Sequence, residues 1–284
     1  MTFYLGCAVW SYDGWLGTFY PPKTPKKAFL SCYSQRFHTV EGNTTFYAMP
    51  SSATVQRWQE ETPNSFKFCL KFPQTITHQG ALIPNLAEAQ QFIERVQVLE
   101  QKLGCIFAQL PPSYGPNYLE DLQQFLASLL FANIPLAVEV RHLDWWRSPY
   151  QEKLHQCLQN LNVAQVILDT RPVYRCSDNP LSHSQRPKPD VPVNFTLTAN
   201  FVLIRFISHP QLALNNLYLK EWTQKIQDWL NQNITVYCFI HCPIEDHSPQ
   251  IARYFYQQLQ QECIGLDPLP WDKLAAPPQQ LSLF

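Results

Sequence analysis

The chain has 284 residues, of which 45% are hydrophobic and 15% are charged, so we expect one large domain built around a single core. Its formal net charge is −1, which gives no electrostatic case for long nucleic-acid contacts or for an anionic membrane surface. The amino-terminal segment lacks a signal-peptide pattern, and no stretch approaches the roughly 18 apolar residues of a membrane span. These features predict a cytoplasmic protein with no membrane contact.

The nine cysteines are scattered along the chain and form no CxxC pair. Their number is odd, and several lie inside apolar runs. This pattern is typical of buried thiols in a reducing compartment rather than of a disulfide framework.

Short apolar segments alternate with longer segments of helical period, which predicts eight strands separated mostly by helices. The predicted strands are Phe3–Val9, Thr39–Glu41, Phe66–Lys71, Cys105–Gln109, Leu136–Val140, Ala164–Asp169, Phe201–Phe206 and Thr235–Ile240. The predicted helices are Pro25–Phe37, Ser51–Glu61, Leu86–Leu103, Tyr118–Phe131, Tyr150–Leu161, Leu217–Asn231 and Ser248–Cys263.

Strands joined through helices pair in parallel, and near-continuous apolar strands such as CIFAQL and LAVEV are buried on both faces. Both features favour a closed (β/α)₈ TIM-type barrel over residues 1–265. The alternative is a doubly wound open sheet, which normally carries a glycine-rich first turn. With 8 glycines and no GxGxxG or GxxxxGK motif, the chain shows no nucleotide-cofactor site.

The connection Arg171–Thr198, between strands six and seven, is rich in proline and has no clear helical period. A connection of this length is usually either functional or disordered, so we interpret it as a lid or as a plain surface loop. Residues 266–284 are predicted to form an extended, proline-rich tail.

In barrels of this type, the working face lies at the carboxyl ends of the strands. Nearly every predicted strand ends in, or is soon followed by, a polar, ionisable or aromatic residue. The candidate catalytic residues are Glu139, Asp169, His78 and His142. The candidate substrate-binding residues are Trp10, Tyr12, Glu41, Asn43, Thr45, Tyr47, Lys71, Gln109, Arg141 and Arg205.

Glu139 and Arg141 are two residues apart on one strand, so their side chains share a face and the carboxylate stays ionised. Asp169 would supply a second carboxylate for acid–base work. A divalent metal is left unassigned, because no HExxH or similar ligand pair is present. The alternative without a function is a ring of ion pairs that closes the barrel, such as Glu139 with Arg141 or Arg205.

Several segments together resemble domain-of-unknown-function family seventy-two, the YecE-like proteins. These segments are GCAVWSYDGWLGTFYP, VEGNTTFYAMP, WQEETPNSFKFCLKFPQTITH, QLPPSY and AVEVRHLDWW, and the resemblance runs from about Tyr4 to about Gln261. It implies a barrel fold and a site, but no substrate. The chain departs from the family pattern after Arg205, where it lacks the His-Gly pair, and at His241, where many relatives have F-x-N.

The chain ends in Gln280-Leu281-Ser282-Leu283-Phe284, which resembles the bacterial sliding-clamp-binding motif QL[SD]LF. Leu281, Leu283 and Phe284 would fill apolar pockets of the clamp, and Gln280 would form a hydrogen bond at the edge of its groove. The alternative is a tail that packs onto the protein's own barrel.

Two functions from different classes follow. The first is an enzyme that acts in the barrel mouth on a polar substrate with phosphate or hydroxyl groups, for which a nucleotide and a nucleic acid are candidates. The second is a non-catalytic ligand-binding or adaptor protein that docks through its carboxyl-terminal tail.

Overall fold

The computed structural model describes residues 2–176, 178, 180–181, 188–263 and 265–273. The strands are β1 (Phe3–Cys7), β2 (Thr39–Gly42), β3 (Lys67–Lys71), β4 (Leu103–Gln109), β5 (Leu136–Glu139), β6 (Ala164–Gln165), β7 (Ile167–Asp169), β8 (Phe201–Ile207) and β9 (Thr235–His241). The α-helices are α1 (Phe29–Ser34), α2 (Thr44–Tyr47), α3 (Ser52–Glu61), α4 (Gln74–Thr77), α5 (Leu86–Val96), α6 (Leu119–Ala127), α7 (Tyr150–Leu161), α8 (Arg171–Tyr174), α9 (Asn216–Asn231) and α10 (Ser248–Glu262).

The strands form two parallel sheets, with the orders β1-β9-β8-β7 and β2-β3-β4-β5-β6. The fold is therefore mixed α/β with parallel sheets, and the predicted parallel pairing is confirmed. The predicted strand Ala164–Asp169 is divided at Val166, so that β6 pairs with β5 in one sheet and β7 pairs with β8 in the other.

The two sheets approach each other at both edges. At one edge, the backbone N–H of His38, just before β2, donates a hydrogen bond of 3.2 Å to the carbonyl oxygen of Leu5 in β1. A Cβ atom on Gly6 would stand 1.9 Å from the carbonyl oxygen of Thr39, so this approach requires glycine. At the other edge, Val166 is the single residue between β6 and β7.

Two apolar clusters make up most of the core, on opposite faces of the strands. The larger cluster packs the strands against the helices. The smaller cluster takes alternate residues from both sheets: Cys69, Cys105, Phe107, Ala137, Ala164, Val166, Phe201, Leu203, Tyr237 and Phe239. Because side chains alternate along a strand, the residue two positions further toward the carboxyl end of each strand also points to this inner face.

The predicted boundary at residues 265 and 266 lies too early. Residues Pro270–Lys273 form a 3₁₀ turn, and Trp271 packs edge-on against Phe19 and Phe37 at ring distances of 5.0 and 5.8 Å. Leu269 is fully buried. The proline-rich composition suggested a tail, but these two apolar side chains hold the segment on the body of the protein.

All nine cysteines are unpaired thiols, and seven of them are buried. This confirms the prediction of buried thiols. Among the helices of the described residues, none is long and apolar enough to cross a membrane.

Candidate functional site at the carboxyl ends of the strands

A buried ion-pair network joins the two sheets at the carboxyl ends of β2, β5 and β8. The guanidinium of Arg205 donates two hydrogen bonds to Glu41, from Nε to Oε2 at 2.8 Å and from Nη2 to Oε1 at 2.9 Å. Its Nη1 bonds to Oε2 of Glu139. All three side chains are at most 1% exposed. Such a network restricts the orientation of its members, because two parallel N–H···O bonds between a guanidinium and a carboxylate require a specific geometry.

Two further side chains bind Glu41 from neighbouring strands. Nζ of Lys71 lies 3.2 Å from Oε1 of Glu41 and donates to Oε1 of Gln109 at 3.0 Å. Nε2 of His241, at the end of β9, lies 3.0 Å from Oε2 of Glu41. The Glu41 carboxylate thus has three partners, and Lys71 is held between a carboxylate and an amide.

Arg141 forms the more exposed side of the cluster. Its Nη2 and Nε lie 2.6 and 2.7 Å from Oε1 of Glu139, and its side chain is 15% exposed. The ring of Phe107 lies on the other side, with Nζ of Lys71 5.5 Å from its centre. The cluster therefore has an apolar floor and opens past Arg141.

The two carboxylates remain ionised at neutral pH. Burial alone would raise their pKa values, but nearby cations outweigh it. Arg205, Lys71 and His241 hold the pKa of Glu41 well below its usual range. Arg141 and Arg205 lower the pKa of Glu139 to about 2.

The amine and the imidazole behave in the opposite way. Burial and the charge of Arg205 lower the pKa of Lys71 to about 7, although Glu41 opposes the shift. Burial also lowers the pKa of His241 to about 4, so its ring is neutral at pH 7. A neutral ring beside a carboxylate donates its proton from Nε2, which leaves Nδ1 as an acceptor.

A cavity of about 280 Å³ lies beside the cluster. Its polar lining residues are Asn43, Lys188, His241 and Glu245, and its apolar ones include Ile207 and Cys242. Burial, Arg205 and Arg141 lower the pKa of Lys188 to about 8. Burial raises the pKa of Glu245 to about 8, with a contribution from Glu41 and Asp246 and although Ser248 and Lys188 oppose the shift, so this carboxyl is mostly protonated at pH 7.

The structure brings together six of the residues proposed from the sequence: Glu41, Lys71, Gln109, Glu139, Arg141 and Arg205. Glu139 and Arg141 share a face, as their spacing predicts. Glu41 and Glu139 both pair with Arg205, and the pairing of Glu139 with Arg205 is the one named in the alternative of a closing ion-pair ring. These three side chains are held by their ion pairs and position their neighbours. The group that carries out the chemistry must therefore be one of those neighbours.

Asp169 is not part of the cluster, which corrects the prediction of a second carboxylate there. Its Oδ2 accepts hydrogen bonds from Nη2 of Arg171 and Nε1 of Trp222, both at 2.8 Å. In β7, Leu168 pairs with Arg205 and so occupies the inner face, whereas Asp169 pairs with Phe206. Asp169 therefore faces the helix layer at α9.

The two candidate histidines lie in different places. The ring of His78 packs edge-on against Phe46 at 5.2 Å, and Nζ of Lys71 lies 5.5 Å from the centre of the Phe46 ring, so His78 borders the cluster. Burial and the charges of Arg141 and Lys71 lower its pKa. His142 stands beside Gly115, and its Nδ1 accepts the backbone N–H of Asp144 at 3.2 Å. These contacts hold His142 at the loop that contains Gly115 and Asp144, and its catalytic role stays a prediction.

Most of the remaining candidates have local structural partners. Oγ1 of Thr45 lies 2.8 Å from the carbonyl oxygen of Gly42 and 2.7 Å from that of Lys71, and its hydroxyl group donates to these two acceptors. Trp10 packs edge-on against Trp58 and Phe68, in the layer between β3 and α3. These contacts hold Thr45 against the backbone of Lys71 and place Trp10 beside Trp58 and Phe68, and the substrate-binding role of both stays a prediction.

Three candidates remain near the open side. The hydroxyl of Tyr12 donates to Asp246 at 2.7 Å, and Tyr47 is 60% exposed. The side-chain amide of Asn43 donates to the carbonyl oxygen of Ala8 at 2.7 Å while lining the cavity. Of these three, Asn43 is the one placed to touch a bound ligand.

Sequence reasoning left His241, Lys188 and Glu245 out of the candidate set. His241 carried a signal, since it ends the last strand and occupies a position where the family pattern differs. Lys188 lies in the long connection Arg171–Thr198, which has no period that would reveal its direction. Glu245 follows β9 by four residues, in a short 3₁₀ turn.

A second group with possible metal ligands consists of Cys176, Asp178 and His209, whose ligand atoms lie within 4.8 Å of one another. Nδ1 of His209 accepts the backbone N–H of Gln211 at 3.0 Å. The ring proton is therefore on Nε2, 3.0 Å from Asp178, and that nitrogen has no free lone pair. As arranged, this group is a hydrogen-bonded pair beside a thiol.

The four partner-binding candidates Gln280, Leu281, Leu283 and Phe284 lie outside the described residues.

Fold and site together define a parallel α/β protein with a charged cluster at its strand ends, and comparison with known proteins gives its family. Residues 4–274 match the family described as protein of unknown function DUF72. The chain is 37% identical over 286 residues to the UPF0759 protein YecE of Escherichia coli O157:H7, covering 99% of both. It therefore belongs to the DUF72 family.

Solved structures of two relatives share the fold. One is a DUF72 family protein from Thermotoga maritima, with a TM-score of 0.68 and 22% identity, covering 92% of this chain and 100% of that one. The other is a DUF72 family protein from Enterococcus faecalis, with a TM-score of 0.67 and 19% identity, covering 99% and 100%.

Proposed function

We propose that the protein is an enzyme that acts on a small polar substrate bearing phosphate or hydroxyl groups, at the carboxyl ends of its strands. The observation that carries this proposal is the amine of Lys71. It is 3% exposed, lies 3.2 Å from Glu41, and has a pKa of about 7. A group with a pKa near the working pH can both accept and donate a proton.

The carboxylates are unsuited to the acid–base role proposed for Glu139 from the sequence. With a pKa of about 2, Glu139 holds no proton at pH 7 and is a weak base. Arg205 stays charged, since Glu139 and Glu41 raise its pKa further. The proton-transfer role therefore passes to Lys71, which Gln109 and Glu41 orient.

The substrate class follows from the cations on the open side. Arg141 is partly exposed and Lys188 lines the adjoining cavity, so an anionic or hydroxyl-bearing ligand would meet positive charge there. His78, at the rim, is placed to assist. Because the neighbouring side chains of the cluster are buried, these interactions are stronger than at an open surface.

We also infer that the sheets close into an eight-stranded barrel, with 164–169 as one strand. Three observations support closure: the His38–Leu5 hydrogen bond, the single-residue step at Val166, and the inner cluster shared by both sheets. In such a barrel, the cluster lies at the mouth, where catalytic residues are found.

The test is a screen of purified protein against phosphate monoesters, phosphate diesters and sugars, followed by Lys71→Met. The variant should lose about 10²–10⁴-fold in turnover, the range for a general acid–base group. The wild-type pH–rate profile should show a limb near pH 7 that the variant lacks. Lys67→Met, at the opposite end of β3, is the matched control. Unchanged turnover in Lys71→Met would rule out the proposed role.

We further propose that the carboxyl-terminal residues 280–284 dock on a bacterial sliding clamp. The QLSLF sequence supports this proposal. Docking would direct the enzyme to nucleic acid or to a damaged nucleotide. The test is a pull-down of purified clamp by the full chain and by residues 1–279. Equal recovery by both would refute tail docking and the adaptor function with it.

A further inference from the structure

The cavity beside the cluster contains two ionisable side chains without partners. Among the described residues, Nζ of Lys188 forms no ion pair and no side-chain hydrogen bond. Oε1 of Glu245 is buried and has no hydrogen-bond partner there. Both residues line the same 280 Å³ space, together with Asn43 and His241. Buried polar groups are normally satisfied, so Oε1 of Glu245, which lines the same cavity as the unpaired ammonium of Lys188, points to a missing ligand.

The charge around Lys188 is not balanced by the cluster. Arg205 and Arg141 repel its ammonium, while Glu41 and Glu139 attract it from carboxylates already bound to arginine. Lys188 is partly buried, and a partly buried ammonium without a counter-ion among the described residues is destabilised. The cavity is therefore electropositive and favours an anion.

The other polar groups define which anion fits. The carboxyl of Glu245 is mostly protonated at pH 7, so it donates a hydrogen bond instead of repelling an anion. Nδ1 of His241 remains an acceptor, because Nε2 bonds to Glu41. A phosphate monoanion has both anionic oxygens and an O–H to donate, whereas a carboxylate ion has no O–H.

We propose that this cavity binds the phosphate group of the substrate, with the ammonium of Lys188 as its counter-ion and the carboxyl of Glu245 as a hydrogen-bond donor. This deepens the proposed function and rests on it for the identity of the bound molecule as substrate. The volume exceeds that of a phosphate group, which leaves space for a small organic part.

The experiment is calorimetric titration of the full chain with inorganic phosphate at pH 6.5, with acetate as the carboxylate comparison. Phosphate should bind at least about tenfold more tightly than acetate. Lys188→Met should weaken phosphate binding by about tenfold or more, the scale of one charge-assisted hydrogen bond. Lys153→Met, on the exposed side of α7, is the matched control and should bind as the wild type does.

Two variants test the donor. Glu245→Leu removes it and should weaken phosphate binding, whereas Glu245→Gln keeps an N–H and should stay within about threefold of the wild type. Equal binding of acetate and phosphate, or wild-type phosphate affinity in Lys188→Met, would overturn the assignment.

The same titration on Lys71→Met separates this inference from the proposed function. Phosphate binding that persists there while turnover is lost supports both. Normal turnover in Lys71→Met, with phosphate binding lost in Lys188→Met, refutes the enzyme role assigned to Lys71 and leaves the phosphate site. Lost turnover in Lys71→Met, with unchanged phosphate binding in Lys188→Met, supports the enzyme role of Lys71 and refutes the phosphate site.

Discussion

Two buried carboxylate groups at neighbouring strand ends differ in where they face. Glu139, with Glu41 and Arg205, lies on the inner face where both sheets meet. Asp169 lies on the outer face and binds Arg171 and Trp222. Each carboxylate is paired with arginine, yet only the inner group adjoins an amine of shifted pKa and a cavity. Pairing with arginine is therefore a poor sign of a site, and the direction of the strand residue is a better one.

The largest expected difference between the two groups is in stability. Arg205→Met leaves two buried carboxylates without their shared cation and should lower the free energy of unfolding by about 3–5 kcal/mol. Arg171→Met should cost about 1–2 kcal/mol, because Asp169 keeps the backbone N–H of Arg171 and Nε1 of Trp222 as donors. Urea denaturation of both variants measures the two losses in the free energy of unfolding. Equal losses would show that the inner and outer groups do not differ in their contribution to stability.

The next effect is the dependence of stability on acid. The pKa of Glu139 is about 2 in the folded protein and about 4.3 in an unfolded chain. The stability that this carboxylate contributes is therefore complete above about pH 4.3 and is lost as the pH falls toward 2. Urea midpoints should drop over this range, and less steeply in Glu139→Gln. An identical slope in the variant would show that Glu139 is not held ionised. Glu152→Gln, exposed on α7, is the control.

The substitution with the smallest expected cost is at His241. Its pKa falls from about 6.5 in an unfolded chain to about 4 in the folded protein. Because the unfolded chain takes up the proton first, stability is full above about pH 6.5 and decreases as the pH falls to 4. His241→Asn keeps an N–H donor for Glu41 and does not titrate, so this slope should disappear at a cost of about 1 kcal/mol. Urea midpoints at pH 7, 5.5 and 4 provide the measurement, and a retained slope would assign it elsewhere.

Much of the fold was predictable because its signals are local. Alternating apolar and helical segments placed every strand within a few residues, and Tyr150–Leu161 is the helix that was predicted. Ser51 caps α3 by accepting the backbone N–H of Thr54 at 3.1 Å. The approach of the two sheets to each other depends on contacts between distant segments, which such local signals do not contain.

The site was predictable in part for the same reason. Spacing placed Glu139 and Arg141 on one face, but it did not show which face of Ala164–Asp169 points inward. In a strand that is apolar on both faces, the sequence does not show which alternate residues point inward. It therefore could not show whether Asp169 or Leu168 lies on the inner face. Lys188 reaches the cluster from an irregular connection, where no period exists to place it.

The distribution of the thiols has a practical consequence. Seven cysteines are shielded inside the fold, while Cys32 and Cys176 are only half-buried. A maleimide reagent would therefore modify those two in the native protein and the others only when the structure opens. Cys69 and Cys105 face each other across β3 and β4 on the inner face. The rate at which they are modified would therefore report how often these strands open locally, with no engineered label needed.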